Sequence, residues 1–239
     1  EVFSGYYDHQ KLFLASVQRD RQVFQEARLN FEAFHREFVR NPFLRDPDYY
    51  VKTPHSRSHV YLGSDRFARA LNDGWNPSAF VEIDYAMDLL HKRMANELVT
   101  ETVPISLRED DSSCMANSIE NRSPYLEVDL IELGYSLPTQ RLLVNGYTKH
   151  PLRMALKDVV PADVLWSREK IGFNVPFGDL AKGSEVDVKE TIAHSDIICE
   201  VFDRDKLMSA FDLTSNSNSD SKFLFNLLSV AVWGGEVGE

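Results

Sequence analysis

Residues 111–127, DSSCMANSIENRSPYLE, contain the strongest local signals for the fold. The small polar side chains of residues 111–113 favour a helix start, so the stretch predicts a helix that opens there and ends in a turn. Glu120 and Arg122 follow two residues apart, just before Pro124. The stretch therefore predicts a helix and turn that hold an acid and a base on a short, stiff segment.

A second informative stretch is WSREKIGF, residues 166–173. Arg168 and Lys170 occupy alternate positions in a segment that Trp166 anchors and Gly172 leaves free to bend. An acid and several bases on short segments are what a site that handles a polyphosphate and a proton requires.

The charge distribution favours the same kind of ligand. The chain has a net charge of −11, which argues against nucleic acid as its main partner. Residues 141–170 nevertheless hold six basic residues against three acidic ones. This local excess is typical of a phosphate-binding wall, although solvated helix faces are the alternative for most of these residues.

Composition limits the other classes of protein. The 43% hydrophobic and 26% charged content is ordinary for a soluble protein, and no apolar run is long enough for a membrane span. Cys114, Cys199 and the seven histidines show no metal-ligand spacing and no disulfide framework. We therefore expect no metal site built by these residues, and a reducing, cytoplasmic location.

Apolar spacing predicts a mainly helical chain with at most one or two short strands. The length of the chain predicts one domain over residues 1–239. Asn76-Pro77 supplies a cap and first turn for one long helix. The buried stripe of that helix is predicted to hold Phe80, Ile83, Met87, Leu90, Met94 and Leu98.

Other segments are assigned from the same patterns. Residues 11–39 predict one long helix or two short ones, and residues 41–58, with three prolines, predict a loop. Thr148 is a candidate cap for a helix that runs through Lys157. Residues 223–233 are apolar almost all round, which predicts a buried helix.

Four segments together resemble the synthetase domain of the glutamine-dependent asparagine synthetase family. Residues 1–9, EVFSGYYDH, resemble the end of the family's S-G-x-G-x-D-E-x-F-G-G-Y segment. Residues 111–138 are similar to D-R-x-S-M-A-x-S-x-E-A-R-x-P-F-L-D and the helix that follows it. Residues 146–156, GYTKHPLRMAL, resemble G-x-T-K-x-x-L-R-x-A, and residues 166–177 resemble R-x-K-x-G-F-x-x-P.

The resemblance implies that the chain is the helical C-terminal part of an α/β ATP-pyrophosphatase (adenine nucleotide α-hydrolase-like) synthetase domain. In the family, the S-G-G-x-D-S phosphate loop, the parallel sheet and the glutaminase domain precede the position of Glu1. We therefore expect residues 1–239 to be a fragment that is inactive alone and that belongs to an enzyme able to form a homodimer.

The implied enzyme is an ATP-dependent ligase that requires Mg²⁺. ATP activates a carboxylate as an acyl-adenylate, and ammonia from glutamine then displaces AMP; the family's usual reaction converts aspartate to asparagine. Ser112 stands where the family usually has arginine, so amidation of a sugar acid or peptide, or a β-lactam-type cyclisation, is an alternative. An inactive helical binding or regulatory module is a further alternative.

The matched segments also imply site residues. Lys170 matches the family's lysine at the phosphates of ATP, and Glu120 matches the acid of the E-x-R motif, so both are expected to be catalytic. The residues expected to bind ATP or substrate are Arg122, Lys149, Arg168 and Glu1. For Glu120 and Arg122 the alternative is a structural ion pair that stiffens the turn before Pro124.

Overall fold

The computed structural model of the chain describes residues 2–39, 41–57, 67–75, 81–85, 87–168, 177–181, 184–211 and 218–237. In these residues the regular structure is helical, and pairing between extended segments is limited to two isolated bridges. The prediction of a mainly helical chain is confirmed for this part, whereas the α/β character of the parent domain stays a prediction. Among the described residues no helix combines the length and hydropathy that a membrane crossing needs.

Contacts divide the chain into two compact units. Unit 1 consists of Glu1–Ser56 and Val81–Glu169, and unit 2 consists of Arg57–Phe80 and Lys170–Glu239. Such a division can occur within one domain, so the prediction of a single domain over residues 1–239 stays a prediction.

Unit 1 is organised around its first helix, which contacts the second, third, fourth and seventh helices of the unit. Its α-helices in the described part are α1 (Tyr7–Val17), α2 (Arg21–Phe34), α3 (Tyr49–Lys52), α4 (Leu89–Val99), α5 (Thr102–Met115), α6 (Val128–Ser136), α7 (Thr139–Leu142), α8 (His150–Ala155) and α9 (Ala162–Leu165). Short 3₁₀ helices span Arg36–Phe38, Pro42–Arg45 and Pro124–Leu126. The core of the unit includes Leu12, Phe13, Phe31, Tyr50, Leu90, Met94 and Leu142.

The two-helix alternative for residues 11–39 is confirmed. The first helix ends at Val17 and the second begins at Arg21. Asp20 fixes this start because its carboxylate accepts the backbone N–H of Val23 at 3.2 Å. The chain between these helices is therefore a short corner rather than a continuous helix.

The prediction of one long helix from residue 77 through residue 98 is wrong. Residues 81–85 are not helical, and α4 begins at Leu89. Its start is set by Asp88, whose carboxylate accepts the backbone N–H groups of Leu90 and His91. The cap at Asp88 therefore sets where the helix begins, although the apolar period continues upstream of it.

The predicted stripe is correct only inside the observed helix. Leu90 and Met94 are completely buried, whereas Ile83 and Met87 are exposed because they lie before the helix begins. Phe80 and the predicted cap at residues 76–77 lie outside the described residues.

Helix α5 ends where a helix was predicted to start. Residues 111–113 form part of its last turns, and the chain then turns through Ser118, which has a positive φ of 56°. Small polar residues are found at helix ends as well as at helix starts, so their presence alone did not show which of the two residues 111–113 mark.

The predicted cap at Thr148 is also wrong. Helix α8 begins at His150 after Lys149, which takes the left-handed conformation with φ 55°, and it ends at Ala155 rather than Lys157. Pro151 in its first turn is compatible with this start because the first helical N–H groups have no helical acceptor.

In its described part, unit 2 contains helical residues at 67–68 and the helices α10 (Phe177–Leu180), α11 (Glu185–Ala193), α12 (Asp196–Val201), α13 (Arg204–Ala210) and α14 (Asn218–Val237). The last helix contacts α10, α11 and α12. It buries one face, at Leu224, Leu227 and Ala231, while Phe225 and Trp233 are exposed. The prediction that residues 223–233 are buried all round is therefore wrong for this unit.

Candidate functional site

Arg168 lies between two aromatic rings of unit 1. Its guanidinium carbon is 4.0 Å from the ring centroid of Phe34 and 3.9 Å from that of Tyr147. Its Nη2 donates to the carbonyl oxygen of Asn145 at 3.4 Å, and its buried Nε has no hydrogen-bond partner in the structure. We call Arg168, Phe34 and Tyr147 the arginine platform.

The positive charge of Arg168 in the arginine platform is not compensated by a nearby carboxylate of the described residues. No ion pair joins Arg168 to a carboxylate of the described residues. Stacking on aromatic rings fixes the plane of a guanidinium group while leaving its N–H edge able to donate. Such an edge suits an oxyanion, above all a phosphate that can accept two parallel hydrogen bonds.

A second arginine shares the same tyrosine. Arg153 Nε donates to the carbonyl oxygen of Thr148 at 2.8 Å, Nη1 donates to that of Leu165, and the guanidinium lies 5.5 Å from the Tyr147 ring centroid. Burial lowers the pKa of Arg153, Tyr147 opposes this shift, and the charge of Arg168 adds to it. Two guanidinium groups are therefore close enough to feel each other's charge.

The positive potential extends to the start of α8. Burial lowers the pKa of His150, and the charges of Arg141 and Arg153 lower it further. A bound anion would relieve this repulsion and would favour the protonated form of the histidine. The local basic excess predicted from the sequence thus has a counterpart in the folded unit.

Lys149 brings two of the four motif segments together. Its side chain packs so close to Gly5 that a Cβ atom at position 5 would lie 2.5 Å from Lys149 Cε. Gly134, on α6, also lies against the segment at residues 1–9, because a Cβ atom at position 134 would lie 2.6 Å from the carbonyl oxygen of Val2. The segments at residues 1–9, 111–138 and 146–156 are therefore in contact in unit 1.

Ser4 departs from the family pattern at a strained position. It stands where the family's F-G-G-Y has its first glycine, and its φ is 61°. A side chain is disfavoured in this left-handed region, and the buried Oγ of Ser4 has no hydrogen-bond partner in the structure. The segment that begins at Glu1 keeps a glycine-like backbone without the glycine.

Glu120 and Arg122 form an ion pair on the surface of unit 1. Arg122 Nη2 lies 2.9 Å from Glu120 Oε1, and the two side chains are 80% and 70% exposed. An exposed pair of this kind contributes about 0–1 kcal/mol, so it holds the turn only weakly. No hydrogen bond or ion pair among the described residues joins the pair to Arg168 or Lys149, and its catalytic role stays a prediction.

Two of the predicted site residues, Lys170 and Glu1, lie outside the described residues. Their roles stay predictions. Their neighbours are informative, because Arg168 precedes Lys170 by two residues and Val2 contacts α6 directly after Glu1.

Sequence reasoning missed a buried network beneath residues 5–9. His9 Nε2 is 2.8 Å from Glu97 Oε2, and the Nδ1 of His9 accepts the backbone N–H of Gly5 at 3.1 Å. Arg93 pairs with Asp8 at 2.7 Å and with Glu82 at 2.6 Å. We call these six residues, Gly5, Asp8, His9, Glu82, Arg93 and Glu97, the buried charge network.

The sequence did contain a signal for this network. Arg93 and Glu97 lie three and seven residues after Leu90, on the buried face of α4, and charged residues in an apolar stripe require buried partners. Burial opposes the charge of Arg93, but Asp8, Tyr50 and Glu82 outweigh it and raise the pKa of the guanidinium.

The buried charge network is a poor metal site although three of its side chains are close enough. Ligand atoms of Asp8, His9 and Glu97 lie within 4.8 Å of one another. Because His9 Nδ1 accepts a backbone N–H, a neutral ring carries its proton on Nε2, the atom that a metal would need. Asp8 is also held by Arg93. The network instead fixes the segment at residues 5–9 against α4.

A further polar cluster was also missed. Asp88 Oδ2 is 2.7 Å from His91 Nδ1 and accepts the hydroxyl of Thr139 at 2.7 Å. Although burial opposes it, hydrogen bonds from His91 and Thr139 hold the pKa of Asp88 well below its usual range. This cluster ties the start of α4 to α7, and it is structural.

Comparison with known proteins supports the resemblance. The family model for asparagine synthase matches residues 1–234. Asparagine synthetase [glutamine-hydrolyzing] 1 of Bacillus subtilis is 29% identical over 128 residues, which are 53% of this chain and 20% of that protein. Putative asparagine synthetases [glutamine-hydrolyzing] of Mycobacterium bovis and Mycobacterium tuberculosis are 38% identical over 76 residues, 32% of this chain and 12% of each relative.

These matches cover only part of each relative. The chain aligns with 20% or less of the length of the curated proteins named above. No solved structure matches the chain significantly.

Proposed function

Because the chain belongs to the asparagine synthase family, we propose that it forms part of an ATP-dependent ligase that converts aspartate to asparagine with ammonia from glutamine. The names of the relatives support the reaction, and the arginine platform is the single structural observation that carries it. A fixed guanidinium without a carboxylate partner in the described residues is suited to a substrate phosphate.

In this proposal the platform binds ATP rather than the acceptor. Arg168 and Arg153 attract the triphosphate, and Lys170, two residues further on, neutralises phosphate oxygens that gain charge as pyrophosphate leaves. One well-placed group of this kind contributes roughly 3–4 kcal/mol to the transition state. Lys149 holds the segment that begins at Glu1 against the same part of unit 1.

Glu120 and Arg122 take the role of acid–base pair and orienting cation. Their exposure leaves Glu120 able to reach a substrate amine, because a weak surface pair can open at little cost. The family also implies Mg²⁺, but the cluster of Asp8, His9 and Glu97 does not fit it, because Arg93 engages Asp8 and His9 engages Glu97. We assign no step to the metal.

The first test uses the full-length protein, since the matched parts span a fifth or less of the relatives. Replacing Arg168 by methionine keeps an apolar stem between Phe34 and Tyr147 but removes the charge. We expect ATP–pyrophosphate exchange to fall about 100-fold, with glutamine hydrolysis unchanged. The matched control is Arg36→Met, at an exposed arginine that pairs with Glu32. Equal exchange in both variants would remove the platform from the ATP site.

Lys170→Ala tests the catalytic step itself. We expect a loss of 10²- to 10³-fold in ATP–pyrophosphate exchange. Lys222→Ala, at an exposed lysine of α14, is the control. Near-normal exchange in Lys170→Ala would show that this lysine is a surface residue.

The acceptor is tested separately from ATP chemistry. Full-length protein with ATP, Mg²⁺ and ammonium should release AMP with aspartate and not with a panel of uronic acids and peptides. AMP release with a panel member alone would reject asparagine synthesis and keep the ligase. No AMP with any acceptor would favour a binding or regulatory module.

A further inference from the structure

A cavity of about 150 Å³ lies in unit 1 between α1, α2 and the turn at residues 143–146. Phe13, Phe31 and Leu143 are buried and supply its apolar walls. A cavity of this volume can hold one small ring, since an apolar protein cavity of about 150 Å³ accommodates benzene. All of its lining residues belong to the described part of the chain.

Four carboxamides supply most of the polar lining of the cavity, beside Glu26 and His35. Gln10, Asn30, Gln140 and Asn145 all contribute to the wall. Gln10 is only 6% exposed, and its Oε1 has no hydrogen-bond partner in the structure. A buried carbonyl oxygen without a partner costs about 1–3 kcal/mol, and because this oxygen is itself closed to solvent, a ligand in the cavity pairs with Gln10 only after its side chain rotates towards the cavity.

The charge of the lining excludes one class of ligand. Glu26, at the exposed rim, is the only carboxylate that lines the cavity, and no lysine or arginine lines it. A carboxylate ligand would therefore lose its hydration without a lysine or arginine in the lining to pair with, and the charges of Lys11 and Arg168 reach the cavity only through His35. An ammonium would find only a screened partner at the rim.

We propose that this cavity binds a small primary amide with a compact apolar body, whose amide group pairs with Gln10. A primary amide offers both a donor and an acceptor, and the Gln10 side chain can present either after rotation of its terminal group. The cavity is lined by none of the three residues of the arginine platform, and binding in it does not depend on the reaction proposed above.

The cavity is also connected to the platform. His35 lines the cavity and its Nε2 donates to the carbonyl oxygen of Gly146 at 2.7 Å, while the neighbouring carbonyl of Asn145 accepts Arg168. A ligand against this turn would restrain the backbone that supports Arg168. Chemical-shift changes are therefore expected at Gly146 as well as at the aromatic walls.

The test is binding of four probes of matched size, benzamide, benzylamine, benzoate and toluene, measured by calorimetry and by NMR on the full chain. We expect saturable benzamide binding, with the other three probes at least about tenfold weaker because each lacks part of the amide's hydrogen bonding. Toluene binding as tightly as benzamide, or benzylamine binding more tightly, would overturn the assignment.

Two variants locate the site. Gln10→Leu is nearly isosteric and should weaken benzamide binding about tenfold while leaving toluene binding unchanged. Ala27→Leu should abolish binding because Ala27 lines the cavity, whereas Ala33→Leu, the same change at an exposed position of α2, should not. Unchanged benzamide affinity in Gln10→Leu would disprove the site even if Ala27→Leu failed to fold.

Discussion

Arg93 and Arg168 are both held against aromatic rings in unit 1, but their charges are treated in opposite ways. Arg93 lies 5.6 Å from the Tyr50 ring centroid and is 2% exposed, with Asp8 and Glu82 both within 2.7 Å. Arg168 lies between two rings and pairs with no carboxylate of the described residues. The positive charge of an arginine is thus compensated by carboxylates in one region and left uncompensated in the other.

The difference separates a structural arginine from a binding one. A buried arginine that only supports the fold needs its charge compensated, because an unpaired buried charge is costly. An arginine that receives a ligand must keep its N–H edge available until the anion arrives. The buried charge network meets the first requirement, and the arginine platform meets the second.

The largest effect is predicted for Arg93, whose charge the carboxylates of the buried charge network compensate. Arg93→Met removes one partner from the buried charge network and leaves its carboxylates buried together. We expect unfolding free energy to fall by about 3–5 kcal/mol in urea denaturation. Arg168→Met is the control, and it should lose less than about 1 kcal/mol. Similar losses in both variants would contradict the division between a structural and a binding arginine.

A second buried cation, besides Arg93, tests how unit 1 treats a charge with weaker compensation. Lys11 Nζ lies 3.8 Å from the Phe31 ring centroid. Burial lowers the pKa of Lys11 to about 7, with Asp8 and Glu32 opposing the shift. The unfolded chain holds this proton up to about 10.5, so between these values it binds more protons than the folded chain, and stability rises with pH.

Lys11→Met should therefore stabilise the protein most at low pH. We expect a gain of about 2 kcal/mol at pH 6 that shrinks towards zero near pH 10. Urea unfolding of variant and parent at pH 6, 8 and 9.5 measures the difference. A gain that is the same at all three pH values would show that Lys11 is not neutralised on folding.

A smaller effect is expected in the segment that joins the two regions. Gly5 donates to His9 in the network and contacts Lys149 beside the platform, and Ser4 precedes it with a positive φ. Ser4→Gly relieves the strained backbone and removes a buried hydroxyl without a partner, which outweighs the added flexibility of glycine. We expect a gain of about 1 kcal/mol by thermal denaturation, and a loss would show that the Ser4 hydroxyl is satisfied.

The smallest effect is predicted for a third arginine, Arg122, which is exposed and paired with a carboxylate. Arg122→Gln removes the surface pair with Glu120 and should change the unfolding free energy by less than about 0.5 kcal/mol. A loss of acyl-adenylate formation without a loss of stability would support the catalytic role. A stability loss well above this value would instead support the structural ion pair at the turn before Pro124.

The sequence predicted what depends on local pattern. Helical periodicity gave the mainly helical chain, but it left open whether residues 11–39 form one helix or two, and the first helix begins at Tyr7. The proximity of Glu120 and Arg122 follows from a spacing of two residues. The start of α4 was misplaced because the apolar period continues upstream of Asp88, where only the cap distinguishes helix from extended chain.

The missed features depend on residues that are distant in sequence. Arg93 and Asp8 are 85 residues apart, and His9 and Glu97 are 88 residues apart, so no local pattern pairs them. The approach of Lys149 to Gly5 is of the same kind. For Arg168, the sequence identified the residue but not the rings of Phe34 and Tyr147 that hold it.

The segment at residues 2–6 is held in register by shape on two sides, since neither Gly5 nor Gly134 has room for a Cβ atom. Steric fit does not depend on ionic strength, whereas the attraction of an exposed cation for phosphate is screened over about 8–10 Å in ordinary buffers. Concentrated salt should therefore weaken the capture of an anion at Arg168 while the backbone beside Lys149 keeps its position. Binding lost at high salt would return on dilution with no refolding step.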